Sequence, residues 1–213
     1  MNLEALATQL KQGLQDLNIQ AKDQQIQQLL DYLTLLNKWN QAYNLTAIRQ
    51  PEEMVTLHLL DSLALLPYVS EEALIDVGSG AGLPGIPLAI MKPKLPILSL
   101  DSNGKKTRFQ FQVKTALALE CFQVVQARTE QHQPSRLSHQ LVSRAFASLK
   151  DFVTLTEHLA APNARWLAMK GQFPEAELEE LPAGFVLTGS HALQVPGIEA
   201  QRHLLIIQRQ ANP

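Results

Sequence analysis

Residues 74–90 read Leu-Ile-Asp-Val-Gly-Ser-Gly-Ala-Gly-Leu-Pro-Gly-Ile-Pro-Leu-Ala-Ile, and no other stretch limits the fold as tightly. Ala73 to Val77 is a short apolar run of the kind that forms a buried strand. Glycines follow at positions 78, 80, 82 and 85, while Pro84 and the apolar residues beyond it read as the first turn of a helix. Proline costs nothing there, because the N–H it lacks has no partner in a first turn. A strand, a glycine-rich turn and a helix N-terminus let a ligand approach the backbone closely and meet unpaired N–H groups. A ligand with adenosine-like bulk and charge suits such a turn.

Two cofactors use it. Gly80-x-Gly82-x-x-Gly85 fits the dinucleotide fingerprint, and Asp76-x-Gly78-x-Gly80-x-Gly82 fits the acidic, glycine-rich first motif of S-adenosylmethionine (SAM) enzymes. The surrounding chain separates them. Leu3, Leu6, Leu10, Leu14 and Leu17 recur at helical spacing, and a second helix from about Asp23 carries Ile26, Leu29, Leu30, Leu33, Leu36 and Trp39 on one face. Residues 40–50 break the pattern, and Pro51 opens a third helix that runs to about Leu66, ending before Pro67. The spacing therefore predicts an N-terminal helical extension over 1–72, ahead of a domain over 73–213. A dinucleotide fingerprint usually sits on the first strand of its domain, so this placement counts mildly against that reading.

From Ala73 onward strand and helix patterns alternate, which predicts a mostly parallel sheet. Strands are expected at 73–77, 96–100, 122–126, 140–144, 164–169, about 184–190 and 203–209, with helices at 84–91, 104–119 and 149–160. The acidic segment Phe173–Pro182 reads as a loop with a short helix. Too few residues separate the last two strands for a helical crossover, so they form an antiparallel pair. A Rossmann-like α/β sheet of seven strands, mostly parallel with the last antiparallel, is the architecture of SAM-dependent methyltransferases.

Apolar content of 46% is ample for a core, and the single cysteine, Cys121, excludes an internal disulfide and fits a reducing compartment. Neither a membrane-spanning run nor a signal-peptide core is visible, so the expected home is the cytoplasm. The net charge of −2 is unevenly spread: residues 1–72 carry −5, residues 92–170 carry +7, and residues 171–213 carry −3. Such asymmetry steers a polyanion, although solvated surface faces alone also produce it.

Asp101 ends the second strand about 20 residues past the loop, where a carboxylate accepts both ribose hydroxyls of an adenosine cofactor; a helix N-cap is its plainer role. Asp76 either contacts the ligand or anchors the turn. Thr129 and Glu130 follow the third strand, where a turn covers an adenine. Ser143-Arg144-Ala-Phe146 replaces the Asn/Asp-Pro-Pro-aromatic motif of exocyclic-amine methylation. Cys121 is misplaced for the nucleophile of carbon-5 methylation and reads as a small hydrophobe. The remaining acceptor needs no activation: guanine N7 has a lone pair and no proton to lose, so positioning and electrostatics suffice. Arg144 then acts as a charged clamp, with Phe146 as a shaping residue or plain core. Lys105, Lys106 and Arg108 oppose the dipole of the helix they open, which a polyanion would offset. Arg128, Arg165 and Lys170 are expected on the same rim. His58 and Asp61, three apart, either cap the site or tie the extension to the sheet. Histidines are scattered, and no metal is expected.

Taken in order, Lys38-Trp-Asn-Gln-Ala-Tyr43-Asn-Leu-Thr46, His58-x-x-Asp61-Ser62, the loop from Asp76 to Pro87, Leu100-Asp-Ser102, Lys105-Lys106, Arg128-x-Glu130, Ser143-Arg-Ala-Phe-Ala147, Lys170-Gly171 and Arg202-His203 closely resemble the RsmG (GidB) family. That family methylates guanine N7 in bacterial small-subunit ribosomal RNA. The resemblance implies SAM as cofactor, with contacts around Gly78, Leu83, Thr129, Glu130 and Arg144; Gly80, Gly82 and Asp101 join them from the loop and strand-end reading above. It also implies a guanine in a conserved loop of 16S rRNA as target, inside a small-subunit particle, with no membrane and no obligate protein partner evident. Arg202 joins Lys105, Lys106, Arg128, Arg165 and Lys170 as an RNA-contact candidate. The competing readings are an NAD-type oxidoreductase and a SAM-binding ribosome-assembly factor without catalysis.

Overall fold

The computed structural model describes residues 1–144 and 146–210. Helix α1 (Leu3–Asp16) starts on Asn2, whose side chain accepts from the Ala5 N–H, and buries Leu6, Leu10 and Leu14. Helix α2 (Asp23–Tyr43) buries the expected stripe from Ile26 to Leu36 and stops at Asn44, which takes a left-handed conformation. The third helix departs from expectation. Pro51 opens α3 (Pro51–Met54), but the chain then widens into a π-helical stretch (Val55–Leu60) before α4 (Asp61–Leu63). A tighter turn at Leu66–Tyr68 then takes in Pro67, so the helix ends earlier than predicted. Residues His58 to Leu65 are all buried, which a one-faced α-helix does not allow. The π-helical stretch packs against α1, and α4 packs against α5 (Gly85–Met91).

The sheet contains β1 (Leu74–Val77), β2 (Ile97–Asp101), β3 (Phe122–Gln126), β4 (Ser138–Ser143), β5 (Ala160–Lys170), β6 (Phe185–Ala192) and β7 (His203–Arg209). Its order is β3-β2-β1-β4-β5-β7-β6. The β1–β2, β2–β3, β1–β4 and β4–β5 pairs are parallel, whereas β7 runs antiparallel between β5 and β6. Helices α6 (Gly104–Ala116), α7 (Leu149–Thr156) and α8 (Glu175–Glu179) complete the described elements. Strand order reverses at β1, and in such sheets ligands bind beyond the carboxyl ends of the strands at that point.

The extension does not pack as a separate body. Leu29, Leu33 and Leu36 of α2 belong to the same buried cluster as Ile86, Phe109 and Phe122, so one face of the sheet and the N-terminal helices share a core. The other face packs Trp166, Phe152 and Leu149. Cys121 contradicts its reading as a small hydrophobe: it is exposed at the turn into β3, at the end of the sheet away from the glycines.

Candidate active site

The glycine loop leaves β1 and is fixed from three directions. Below it, the Gly78 N–H donates to the Leu100 carbonyl at 2.8 Å, and the Gly80 N–H donates to Asp101 Oδ2 at 2.8 Å. From α6, buried Gln110 donates to the Gly80 carbonyl at 2.8 Å and to Ser79 Oγ at 2.9 Å, and Ser99 completes that polar cluster. From α2, the fully buried Tyr32 hydroxyl donates to the Ala81 carbonyl at 3.0 Å. Gly78, Gly80 and Gly82 all have positive φ. Their surroundings differ. A Cβ on Gly82 would run into the buried Ile86 side chain, but one on Gly80 would meet only Lys106 Nζ at 3.9 Å. Gly82 is therefore needed for packing, and Gly80 is the glycine that faces open space.

Asp76 lies beneath this loop with no exposed surface. Its Oδ2 accepts from the Gly85 N–H at 2.8 Å, as a turn anchor should, while its Oδ1 has no partner. Burial pushes its carboxyl up to about 7, against the pull of the Gly85 N–H and Arg144. Asp101 is not a helix cap. Its Oδ1 accepts from the Asn103 N–H at 2.8 Å, and Asn103 caps α6 by accepting from the Lys105 and Lys106 N–H groups. Thr129 and Glu130 sit in a short turn just after β3. Gly78, Asp101 and this turn thus occupy the carboxyl ends of β1, β2 and β3, which are neighbours. The Leu83 side chain is core, and its N–H donates to Ser79; the residue four on is Pro87, with no N–H to engage the Leu83 carbonyl.

Beside the loop lies a pocket of about 410 Å³, within the ~300–1,000 Å³ usual for small-molecule sites. Segments far apart in sequence line it: Ile48, His58 and Asp61 from the extension, Arg144 after β4, Lys170 at the end of β5, and Arg202 and His203 at the start of β7. Asp61 organises it. Its Oδ2 pairs with Arg144 at 2.9 Å and its Oδ1 with Arg202 at 3.2 Å, while its own side chain is only 8% exposed. Burial raises its carboxyl above the usual range, and the two guanidinium groups pull it back. His58 bonds through Nε2 to Thr46 Oγ1 at 2.9 Å, and burial with the Arg144 charge lowers it to about 4. The imidazole is therefore neutral at pH 7. Asp61 ties the extension to the sheet through Arg144 and Arg202, whereas His58 bonds within the extension; both line the pocket.

Of the predicted rim cations, one lies elsewhere and another is paired. Arg165 pairs in register with Gln140, near the start of β4, and donates to the Tyr68 carbonyl and Gln140 Oε1. It braces the opposite end of the sheet from the glycines. Lys170 is at the correct end but is paired with Glu177 at 2.7 Å, and Glu177 also accepts from the Leu149 N–H. Arg128 and Lys105 are exposed, and Lys106 is half-buried beside Gly80. Phe146 stacks on Phe152 at 5.2 Å and shapes the second core. Among the described residues no group of three or more His, Cys, Asp or Glu side chains is arranged to hold a metal. Neither is any described helix long and apolar enough to cross a membrane.

Sequence reasoning missed Tyr32, Gln110 and the Ser79–Ser99 contact. Each is a polar group on an otherwise apolar inward face, and that misfit is the signal that marks them.

Solved structures share this architecture. The ribosomal protein L11 methylase of Lactobacillus delbrueckii subsp. bulgaricus is similar with a TM-score of 0.56 at 13% identity, over 71% of this chain and 77% of that one. A SAM-dependent methyltransferase from Aquifex aeolicus gives 0.54 at 16% identity, over 71% and 92%. Sequence relatives are far nearer. The ribosomal RNA small subunit methyltransferase G of Pseudomonas syringae pv. syringae (strain B728a) is 53% identical over 205 residues, covering 96% of both chains. That of Stutzerimonas stutzeri (strain A1501) is 54% identical over 208 residues, covering 97% of both. The family model described as rRNA small subunit methyltransferase G (GidB) matches residues 25–205, so the chain belongs to that family.

Proposed function

We propose that this protein transfers a methyl group from SAM to N7 of a guanine in a conserved loop of 16S rRNA, in the cytoplasm and within a small-subunit particle. SAM supplies an electrophilic methyl group on a sulfonium centre. The residues present fit that cofactor. Gly80 leaves room for close approach, Asp101 keeps lone pairs for ribose hydroxyls after accepting two N–H bonds, and Thr129–Glu130 flanks the adenine side. Asp76 Oδ1 is a buried acceptor without a donor, which a ligand ammonium satisfies.

The single observation that carries the reading is Asp61 holding Arg144 and Arg202 in one pocket beside the cradle. Methylation at N7 leaves positive charge on the guanine ring. That charge comes from the sulfonium, so the total in the site is unchanged on transfer; Asp61 offsets one of the two guanidinium charges, and neutral His58 adds none. Guanidinium donors suit the O6 acceptor of guanine, and N7 must stay free to attack. No proton leaves the base, so Arg144 positions and no general base is required.

Deleting the gene and probing 16S rRNA by 7-methylguanosine-specific cleavage tests the assignment: the cleavage disappears if it is right and persists if it is wrong. Calorimetry separates the oxidoreductase reading, because tight NAD binding without SAM binding would sink the methyltransferase. A non-catalytic assembly factor would bind SAM yet leave methylation in the deletion strain unchanged.

A further inference from the structure

A line of aromatic rings leads from the cofactor loop to the surface. The Tyr32 ring, whose hydroxyl holds Ala81, lies 6.1 Å from Phe109; Phe109 is 5.7 Å from Trp39, and Trp39 is 5.2 Å from Tyr43. Tyr43, on the last turn of α2, is 46% exposed although it is a large aromatic residue. The strap that follows it is rigid. Asn40 accepts from the Thr46 N–H at 2.9 Å and donates to the Ile48 carbonyl at 3.1 Å. Arg49 donates to the Asn40 carbonyl and to Asn44 Oδ1. The same strap reaches the acceptor pocket, because Thr46 bonds to His58 and Ile48 lines the wall.

Charge marks the two ends of the strap differently. In the pocket, Arg144, Arg202 and Lys170 each face a carboxylate. No described carboxylate lies within ion-pair distance of Lys38 or Arg49, which flank Tyr43 in sequence. Lys38 and Arg49 are half of the basic residues in the otherwise acidic first 72 positions. A carboxylate neutralises the pocket cations locally, whereas Lys38 and Arg49, the latter held by neutral acceptors, keep their charge for an outside anion.

Resting on the methyltransferase reading above, we propose that Tyr43 is a stacking platform for the nucleotide next to the acceptor guanine, with Lys38 and Arg49 facing its phosphates. A base drawn into a pocket leaves its neighbour without a stacking partner. An exposed ring backed by Trp39, one short strap from that pocket, replaces the lost stack. The partner is single-stranded RNA, since bases inside a duplex offer no free face.

Methyl transfer to small-subunit particles lacking the modification tests this with Tyr43→Ala and Tyr43→Phe. The alanine variant should raise KM for the RNA roughly ten- to hundred-fold with kcat and SAM affinity retained, and the phenylalanine variant should restore KM. A wild-type KM in Tyr43→Ala overturns the platform, as does an equal defect in both variants. A second readout is independent of catalysis: a guanine-containing single-stranded RNA oligonucleotide should quench Trp39 emission, and Tyr43→Ala should weaken that titration. If the oligonucleotide binds through Tyr43 but no methyl group is transferred, the function falls and the platform stands. If methylation proceeds and Tyr43→Ala changes neither readout, the platform alone falls.

Discussion

The cofactor cradle and the acceptor pocket share one end of the sheet but are built by different means. The cradle is one contiguous stretch whose neutral backbone groups are tied by Asp101, Gln110 and Tyr32. The pocket is assembled from the extension and the ends of β4, β5 and β7, and buried charge holds it together through Asp61. A backbone cradle is set by local conformation and tolerates change around it. A charge-paired pocket depends on every partner, since removing one leaves the others uncompensated.

The sharpest way to break this comparison is Asp61→Ala. With both guanidinium groups released but partly exposed, it should cost about 3 kcal/mol of stability. It should also lower kcat on the order of a hundred-fold through misplacement of Arg144, with SAM affinity nearly unchanged. Denaturation and steady-state kinetics read both effects, and equal loss of SAM affinity would show that the two regions are not separable. The converse change is Asp101→Ala, which should weaken SAM binding by about 1.5–3 kcal/mol while leaving the pocket's ion pairs in place. Unchanged affinity in calorimetry would remove Asp101 from the ribose.

Within the cradle, Gly82→Ala should destabilise the fold by about 2 kcal/mol, because its Cβ meets Ile86 in a left-handed backbone. Gly80→Ala should cost about 1 kcal/mol of strain but weaken SAM binding more, since it fills the open side. If the two variants behave alike in thermal melts and in SAM titrations, the division between packing and approach is wrong.

Titration separates the regions by sign. Asp76, raised from 3.8 to about 7, binds more protons folded than unfolded between those values, so it lowers stability as pH rises. His58, lowered from 6.5 to about 4, binds fewer protons when folded, so it raises stability as pH rises through the same range. Asp76→Asn should therefore make the slope of stability against pH more positive between about 4 and 7, and His58→Gln should make it more negative. Slopes that move together would mean that one burial is misassigned. The smallest effect belongs outside both regions: Lys105→Ala, at an exposed position, should reduce RNA affinity and its salt slope while sparing SAM.

What could be read from the sequence follows the same division. The glycine loop, Asp101, the antiparallel β6–β7 pair and the strands other than β5 rest on local periodicity and turn chemistry and lie close to where expected, while β5 begins at Ala160 rather than at 164. The π-helical stretch at Val55–Leu60 packs its buried residues against α1, a long-range contact that no local pattern encodes. Arg165 reads as another strand-end cation, but it pairs in register with Gln140 near the start of the parallel β4, away from the carboxyl ends where the glycines lie. The Asp61–Arg202 pair joins positions 141 residues apart and becomes visible only once β7 is inserted beside β5.

The central claim is tested most directly by incubating the purified protein with methyl-labelled SAM and small-subunit particles that lack the modification, then treating the recovered 16S rRNA with 7-methylguanosine-specific cleavage chemistry. The account predicts label at one guanine and strand scission at that same nucleotide. Label that resists cleavage, or no label at all in a protein that binds SAM, would contradict it.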